Sequence, residues 1–188
     1  MVHGVHVLLS KLHKKLKFSL WAGFLALIVT GVIMFKSFSS GSDLLKVGSV
    51  APSFLAESST GDTVSLEQFA GKKHVVLVFY PGDGTPLCTS QLCAIRDSWQ
   101  RLEAAETVVL GINGADKNRH AQFASENKFP FPLLVDSDGT IASAYGCRGV
   151  FGIMKRTVYV IDKQGKITWV KRGNPSPSDI LSAIGDPT

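Results

Sequence analysis

Residues 74–80 form an almost unbroken apolar run with the length of a buried strand. Pro81, Gly82 and Gly84 interrupt it and predict a tight loop. Thr85 and Pro86 then read as a helix start, with Thr as the N-cap and Pro at the first helical position. Beyond them Cys88, Leu92, Ile95, Trp99 and Leu102 recur at helical spacing, which predicts one helix from Pro86 to about Ala105. Upstream, residues 54–56 and 63–65 flank a turn around Gly61 and predict a hairpin, and 66–69 predict a helical turn ended by Gly71. Downstream, β-branched runs predict strands at 107–112, 133–135, 157–161 and 166–170. Helices are predicted at 117–126, 140–145 and 177–184, and 162–165 joins the last two strands as a hairpin. Strands alternating with helices, then a late hairpin, describe an α/β chain with a mixed central β-sheet flanked by helices.

The first 46 residues follow a different pattern. Residues 18–35 carry no charge and are bounded by Lys17 and Lys36, a stretch of 18 at the lower end of a membrane-spanning length. The stretch is apolar all round, which predicts a transmembrane helix over a buried soluble one. Lys11, Lys14, Lys15 and Lys17 precede it, and Lys36 and Lys46 follow. The positive-inside rule then puts the N-terminus in the cytoplasm and the rest across the membrane. Signal-peptide cores are usually shorter, which favours an uncleaved anchor. Ser37, Ser39, Ser40 and Gly41 leave cleavage and secretion open. The expected organisation is a basic leader (1–17), a transmembrane anchor or signal (18–35), a polar linker (36–46) and a folded domain (47–188). That domain is expected on the extracytoplasmic, periplasmic side of an inner membrane. His3, His6 and His13 of the leader have no metal-ligand spacing.

The net charge of +5 resides in the tail. Residues 1–46 hold six lysines against Asp43 alone, whereas 47–188 balance 14 basic against 14 acidic residues. A nucleic-acid partner is therefore not implied. Three cysteines are too few for a disulfide scaffold. Two of them with no nearby histidine pair give too few ligands for a closed zinc site, so no metal is expected. No dinucleotide, phosphate-loop or haem motif is present, so no cofactor is expected either. Cys88 is the candidate centre. It falls in the first turn of a helix, where free N–H groups and the positive dipole end favour a thiolate.

The spacing Pro81-x-x-x-Thr85-x-x-Cys88 resembles the active-site signature of the peroxiredoxins. Cys88-Thr89-Ser90-Gln91-Leu92-Cys93-Ala94-Ile95-Arg96-Asp97 is similar to their bacterioferritin-comigratory (Q-type) branch, where a second cysteine lies five residues on. The resemblance spans roughly residues 47–184 and implies a thioredoxin-like fold. It implies a thiol peroxidase of antioxidant defence, acting on hydrogen peroxide and organic hydroperoxides and re-reduced by a thioredoxin-like donor, as a monomer or weak dimer. Cys88 becomes the peroxidatic nucleophile, oxidised to sulfenic acid, and Cys93 the resolving thiol that forms the intramolecular disulfide. Thr85 contacts thiolate and peroxide, Pro81 closes over the thiolate, and Arg156 lowers the thiol pKa and binds the developing oxygen charge. Each residue also has a plainer reading: Cys88 and Cys93 as buried thiols, Thr85 as an N-cap, Pro81 as a strand stop, Arg156 as a solvated residue at a strand start. Gln91 stands where many peroxiredoxins have Glu, and Cys147, with no partner by motif, reads as core filler.

Five residues along a helix give about 140° of rotation and about 7.5 Å of rise, so the Cys88 and Cys93 Cα atoms lie about 8–9 Å apart. A disulfide needs less than about 7 Å. Joining the two sulfurs therefore requires the helix to unwind locally. A thiol–disulfide oxidoreductase acting on exported proteins is the alternative on the same fold, although that class usually shows Cys-x-x-Cys.

Overall fold

The computed structural model describes residues 43–185. A small antiparallel hairpin, β1 (Leu55–Glu57) and β2 (Thr63–Ser65), and a 3-10 turn at Glu67–Phe69 precede the main sheet. The sheet contains β3 (His74–Phe79), β4 (Thr107–Asn113), β5 (Leu133–Val135), β6 (Thr157–Ile161) and β7 (Ile167–Arg172), in the order β5-β4-β3-β6-β7. β3, β4 and β5 run parallel, while β6 and β7 are antiparallel to their neighbours. The helices are α1 (Pro86–Asp97), α2 (Trp99–Ala104), α3 (Lys117–Asn127), α4 (Thr140–Ala144) and α5 (Pro177–Ile184). This is the thioredoxin-like α/β fold with a mixed central sheet.

Side chains of a strand alternate between its two faces, and β3 is buried on both. Val75, Leu77 and Phe79 join one cluster with the hairpin, Ile141 and Tyr145. Val76, Val78 and Tyr80 join the other with Cys88, Leu92, Ile95 and Leu102 of α1 and α2, Phe123 of α3 and Ile180 of α5. Full burial of one such aliphatic side chain contributes about 1.5–3 kcal/mol. The apolar stripe that begins at Cys88 is thus what docks α1 on the sheet. Gly111 of β4 permits close packing here, since a Cβ would stand 2.6 Å from Leu133 Cδ2 and 3.3 Å from Tyr80 Cε1.

The expected elements are present, with three corrections. The single helix from Pro86 to about Ala105 is two helices, broken at Ser98 (φ −101°, ψ 10°). The break occupies one residue, so Trp99 and Leu102 stay on the apolar face and the spacing runs through it unaltered. The last strand lies further on than 166–170: β7 continues to Arg172, and its register with β6 shifts between Val160 and Ile161. Arg172 closes the strand against β6, its Nη1 donating to Thr157 Oγ1 (2.7 Å) and its Nη2 to Gly146 O (3.2 Å). Thr85 occupies the N-cap position of α1, but its side chain makes no capping bond. Among the described residues no helix is long and apolar enough to cross a membrane. The expected span 18–35 lies outside them.

Candidate active site

β3 ends at Phe79, and Tyr80 N donates one further bond to Ile112 O (3.2 Å) before the chain turns away. Gly84 (φ 74°) makes the turn that returns the chain to α1. Pro86 at the first helical turn has no N–H to lose, and the first bond inside the helix runs from Thr89 N to Thr85 O (2.9 Å). Cys88 therefore sits among the amides that have no intrahelical partner, at the positive end of a 12-residue helix.

The Cys88 side chain is fully buried, and Arg156 Nη2 donates to its Sγ at 3.1 Å. Arg156 arrives from the residue before β6, which lies beside β3 in the sheet. The other arm of its planar fork, Nη1, donates to Gln91 Oε1. Gln91 is three residues after Cys88 and so shares its face of the helix. Its Nε2 is buried without a hydrogen-bond partner among the described residues. The geometry assembles a buried sulfur, a fixed positive charge and a neutral acceptor that aims this charge, at a helix start. Such a group suits a sulfur nucleophile that develops charge on a bound oxygen.

Pro81 and Thr85 lie on the exposed loop beside the thiol, and Thr85 Oγ1 is 3.5 Å from Gly82 O. Pro81 and Gly82 also form the rim of a cleft of about 750 Å³ that extends to Arg119, Arg148 and Phe151. Cys88 is not on its wall. Arg148 Nη1 donates to Asp138 O (2.7 Å), away from Cys88.

Cys93 lies on the same unbroken helix, half-buried, with its Sγ 3.7 Å from Asn127 Oδ1 at the end of α3. Cys88, Cys93 and Cys147 are all free thiols. Cys147 is a core residue. Burial pushes its thiol up to about 11, against opposing contributions from Thr157 and Arg172. Among the described residues no group of three or more His, Cys, Asp or Glu is placed to hold a metal ion.

One cluster beside the site was not visible in the sequence. Asp83, in the middle of the loop, is buried (5% exposed) although Gly84 and Thr85 beside it are exposed. Its Oδ1 accepts from Tyr80 Oη (2.8 Å) and Asn113 Nδ2 (2.6 Å), and its Oδ2 lies 2.8 Å from His120 Nδ1. Burial pushes the Asp83 carboxyl up, but the bonds from His120, Tyr80 and Asn113 outweigh it and hold it below its ordinary value. Burial, then the charges of Asp83 and Cys88, push the Tyr80 hydroxyl far above its usual range, so it stays a donor. The signal available was His120 itself, one turn from Phe123 on the inner face of a polar helix, where an imidazole must find partners.

The family model described as the AhpC/TSA family matches residues 47–170. A chloroplastic peroxiredoxin Q of Triticum aestivum is 41% identical over 132 residues, 69% of this chain and 60% of that protein. A Coxiella burnetii protein named as a peroxiredoxin bcp is 39% identical over 133 residues, 67% of this chain and 87% of that one. Among solved structures, the peroxidoxin BcpB of Mycobacterium tuberculosis superposes with a TM-score of 0.69 at 31% identity, covering 76% of this chain and 96% of that one. The matched stretch spans about 60% of the length of the plant relatives.

Proposed function

The chain belongs to the AhpC/TSA family, in its peroxiredoxin Q and bcp group, and on that premise we propose that it is a thiol peroxidase with Cys88 as the peroxidatic residue. The observation that carries this is the 3.1 Å bond from Arg156 Nη2 to Cys88 Sγ, at a helix start. The Cys88 thiolate attacks the terminal oxygen of a hydroperoxide. A sulfur–oxygen bond forms, the O–O bond breaks, and its electron pair leaves on the alkoxide, which takes a proton. Arg156 faces the charge developing on oxygen, Pro81 covers the thiolate, and Thr85 offers its hydroxyl to the peroxide. Cys93 then attacks the sulfenic sulfur, the hydroxyl leaves as water with the Cys93 proton, and a disulfide forms. A thioredoxin-like dithiol returns both cysteines to thiols.

Residues 18–35 supply a membrane anchor in this reading, with 47–188 as the catalytic domain on the extracytoplasmic side. The lysine asymmetry around an uncharged span supports it. Peroxide consumption by wild type and Cys88→Ser, with a thioredoxin system supplied, tests the activity. Turnover by wild type alone is expected, and turnover by Cys88→Ser would remove Cys88 from the chemistry.

A further inference from the structure

The loop 81–85 carries two of the residues proposed to meet the peroxide, yet few bonds of its own hold it. The Thr85 Oγ1 contact with Gly82 O is 3.5 Å, and the bond from Arg119 Nη2 to Asp83 O is 3.4 Å. At the helix end of the loop Thr85 O accepts from Thr89 N (2.9 Å) and Thr89 Oγ1 (3.0 Å), and the other short bonds go to the Asp83 carboxylate, at 2.6–2.8 Å. They tie the loop to the end of β3 through Tyr80, to β4 through Asn113 and to α3 through His120. His120 Nε2 lies 3.1 Å from Leu134 O, which adds β5 to the set.

The directions of these bonds are fixed. Leu134 O can only accept, so His120 Nε2 carries a hydrogen. Asn113 Oδ1 accepts from Ala115 N (2.6 Å), which turns Asn113 Nδ2 toward Asp83. Asp83 Oδ1 is satisfied by two donors. One proton must therefore lie between Asp83 Oδ2 and His120 Nδ1, since without it two lone pairs would face each other in a buried site. Held by that proton, the two side chains form a closed staple with both ring nitrogens and both carboxylate oxygens used.

We propose that Asp83 and His120 are positioning residues of the peroxidase, which hold Pro81 and Thr85 in register with Cys88. The inference rests on the peroxidase reading and deepens it. Asp83 is two residues from Pro81 and two from Thr85, so its anchorage sets where both stand. Arg156 bonds to Cys88 and Gln91 within α1 and not to the loop, so activation of the sulfur is separable from placement of the peroxide. A small misplacement at a reacting centre costs rate without altering the nucleophile.

The test compares two reactions of the same sulfur in full-length protein: oxidation by hydrogen peroxide, and alkylation by iodoacetamide, which needs no loop. Asp83→Ala and His120→Leu are expected to lower the peroxide rate constant about tenfold or more while Cys88 alkylation does not fall. Asp83→Asn can reproduce every bond, accepting from Tyr80 and Asn113 and donating to a neutral His120 Nδ1, and is expected to recover most of the lost rate. Asn113→Ala removes one of the three Asp83 bonds, together with the bond from Ala115 N, and serves if the larger truncations unfold, with a drop of about threefold expected in the peroxide rate alone. Unchanged peroxide rates in these variants, a parallel fall of both rates, or an Asp83→Asn protein as slow as Asp83→Ala would overturn the proposal. A wild type that consumes no peroxide would instead refute the peroxidase reading beneath it.

Discussion

Arg156 and Cys88 are 68 residues apart in the chain and 3.1 Å apart at Nη2 and Sγ. Two choices of the fold bring them together. β6 pairs antiparallel with β3, so the start of β6 lies beside the end of β3, where Phe79 is paired with Thr157. The loop after β3 then returns the chain so that the first turn of α1 faces that same edge.

Arg156→Ala removes the only charge bonded to the Cys88 sulfur among the described residues. A hydrogen bond to a charged group is worth about 1.5–3 kcal/mol, so alkylation of Cys88 at neutral pH should slow roughly tenfold or more. Arg156→Lys should recover only part of it, because an ammonium cannot hold Cys88 and Gln91 at once with a planar fork. Alkylation rates followed by mass spectrometry check both.

Disulfide formation should unwind α1 between Cys88 and Cys93. The helix is continuous there, and its geometry leaves the two Cα atoms about 8–9 Å apart against a limit of about 7 Å. Opening it exposes Leu92, worth about 1.5–3 kcal/mol, and pulls Gln91 off Arg156. The sum is a few kcal/mol, below a typical global stability of about 5–15 kcal/mol. Amide exchange at residues 87–95 should be much faster in the oxidised protein. Equal protection in both redox states, with the disulfide confirmed, would contradict the unwinding.

Acid stability should depend on Asp83. Its carboxyl lies below its ordinary value of 3.8 in the folded state. Its contribution is therefore present above the unfolded pKa and lost as pH falls through the lower folded one. The stability gap between wild type and Asp83→Asn should narrow as pH falls below about 4. Asp136 has the opposite sign. Burial raises its carboxyl despite bonds from Ala142 N and Ile141 N, so its charged form costs stability as pH rises. Thermal melts of Asp83→Asn and Asp136→Asn against pH separate the two.

The frame of the site was legible because its signals are local. Pro81, Gly82 and Gly84 end an apolar run, Pro86 opens a helix, and Cys88 begins a stripe at helical spacing. Arg156 was legible only through the family signature, since nothing near position 156 marks it as different from a solvated residue. The Asp83 cluster stayed hidden because its partners are distant in sequence: Asn113 is 30 residues away and His120 is 37. Between two glycines, Asp83 reads as an ordinary turn residue. The break at Ser98 was hidden for the opposite reason, since the apolar period on either side continues through it.

The topology proposed from the lysine asymmetry has its own check. Protease added to intact spheroplasts should remove residues 47–188, whereas protection until lysis would place that domain in the cytoplasm.

The most direct measurement is where the first oxygen lands. Cys93→Ser protein, reduced and given one equivalent of hydrogen peroxide with a sulfenic-acid trap present, should carry one adduct, on Cys88, by peptide mass spectrometry. Cys147 should remain unlabelled, since it is buried with its thiol pushed up to about 11. An adduct on Cys147, or none on Cys88 while peroxide disappears, would contradict the assignment of Cys88 as the peroxidatic residue.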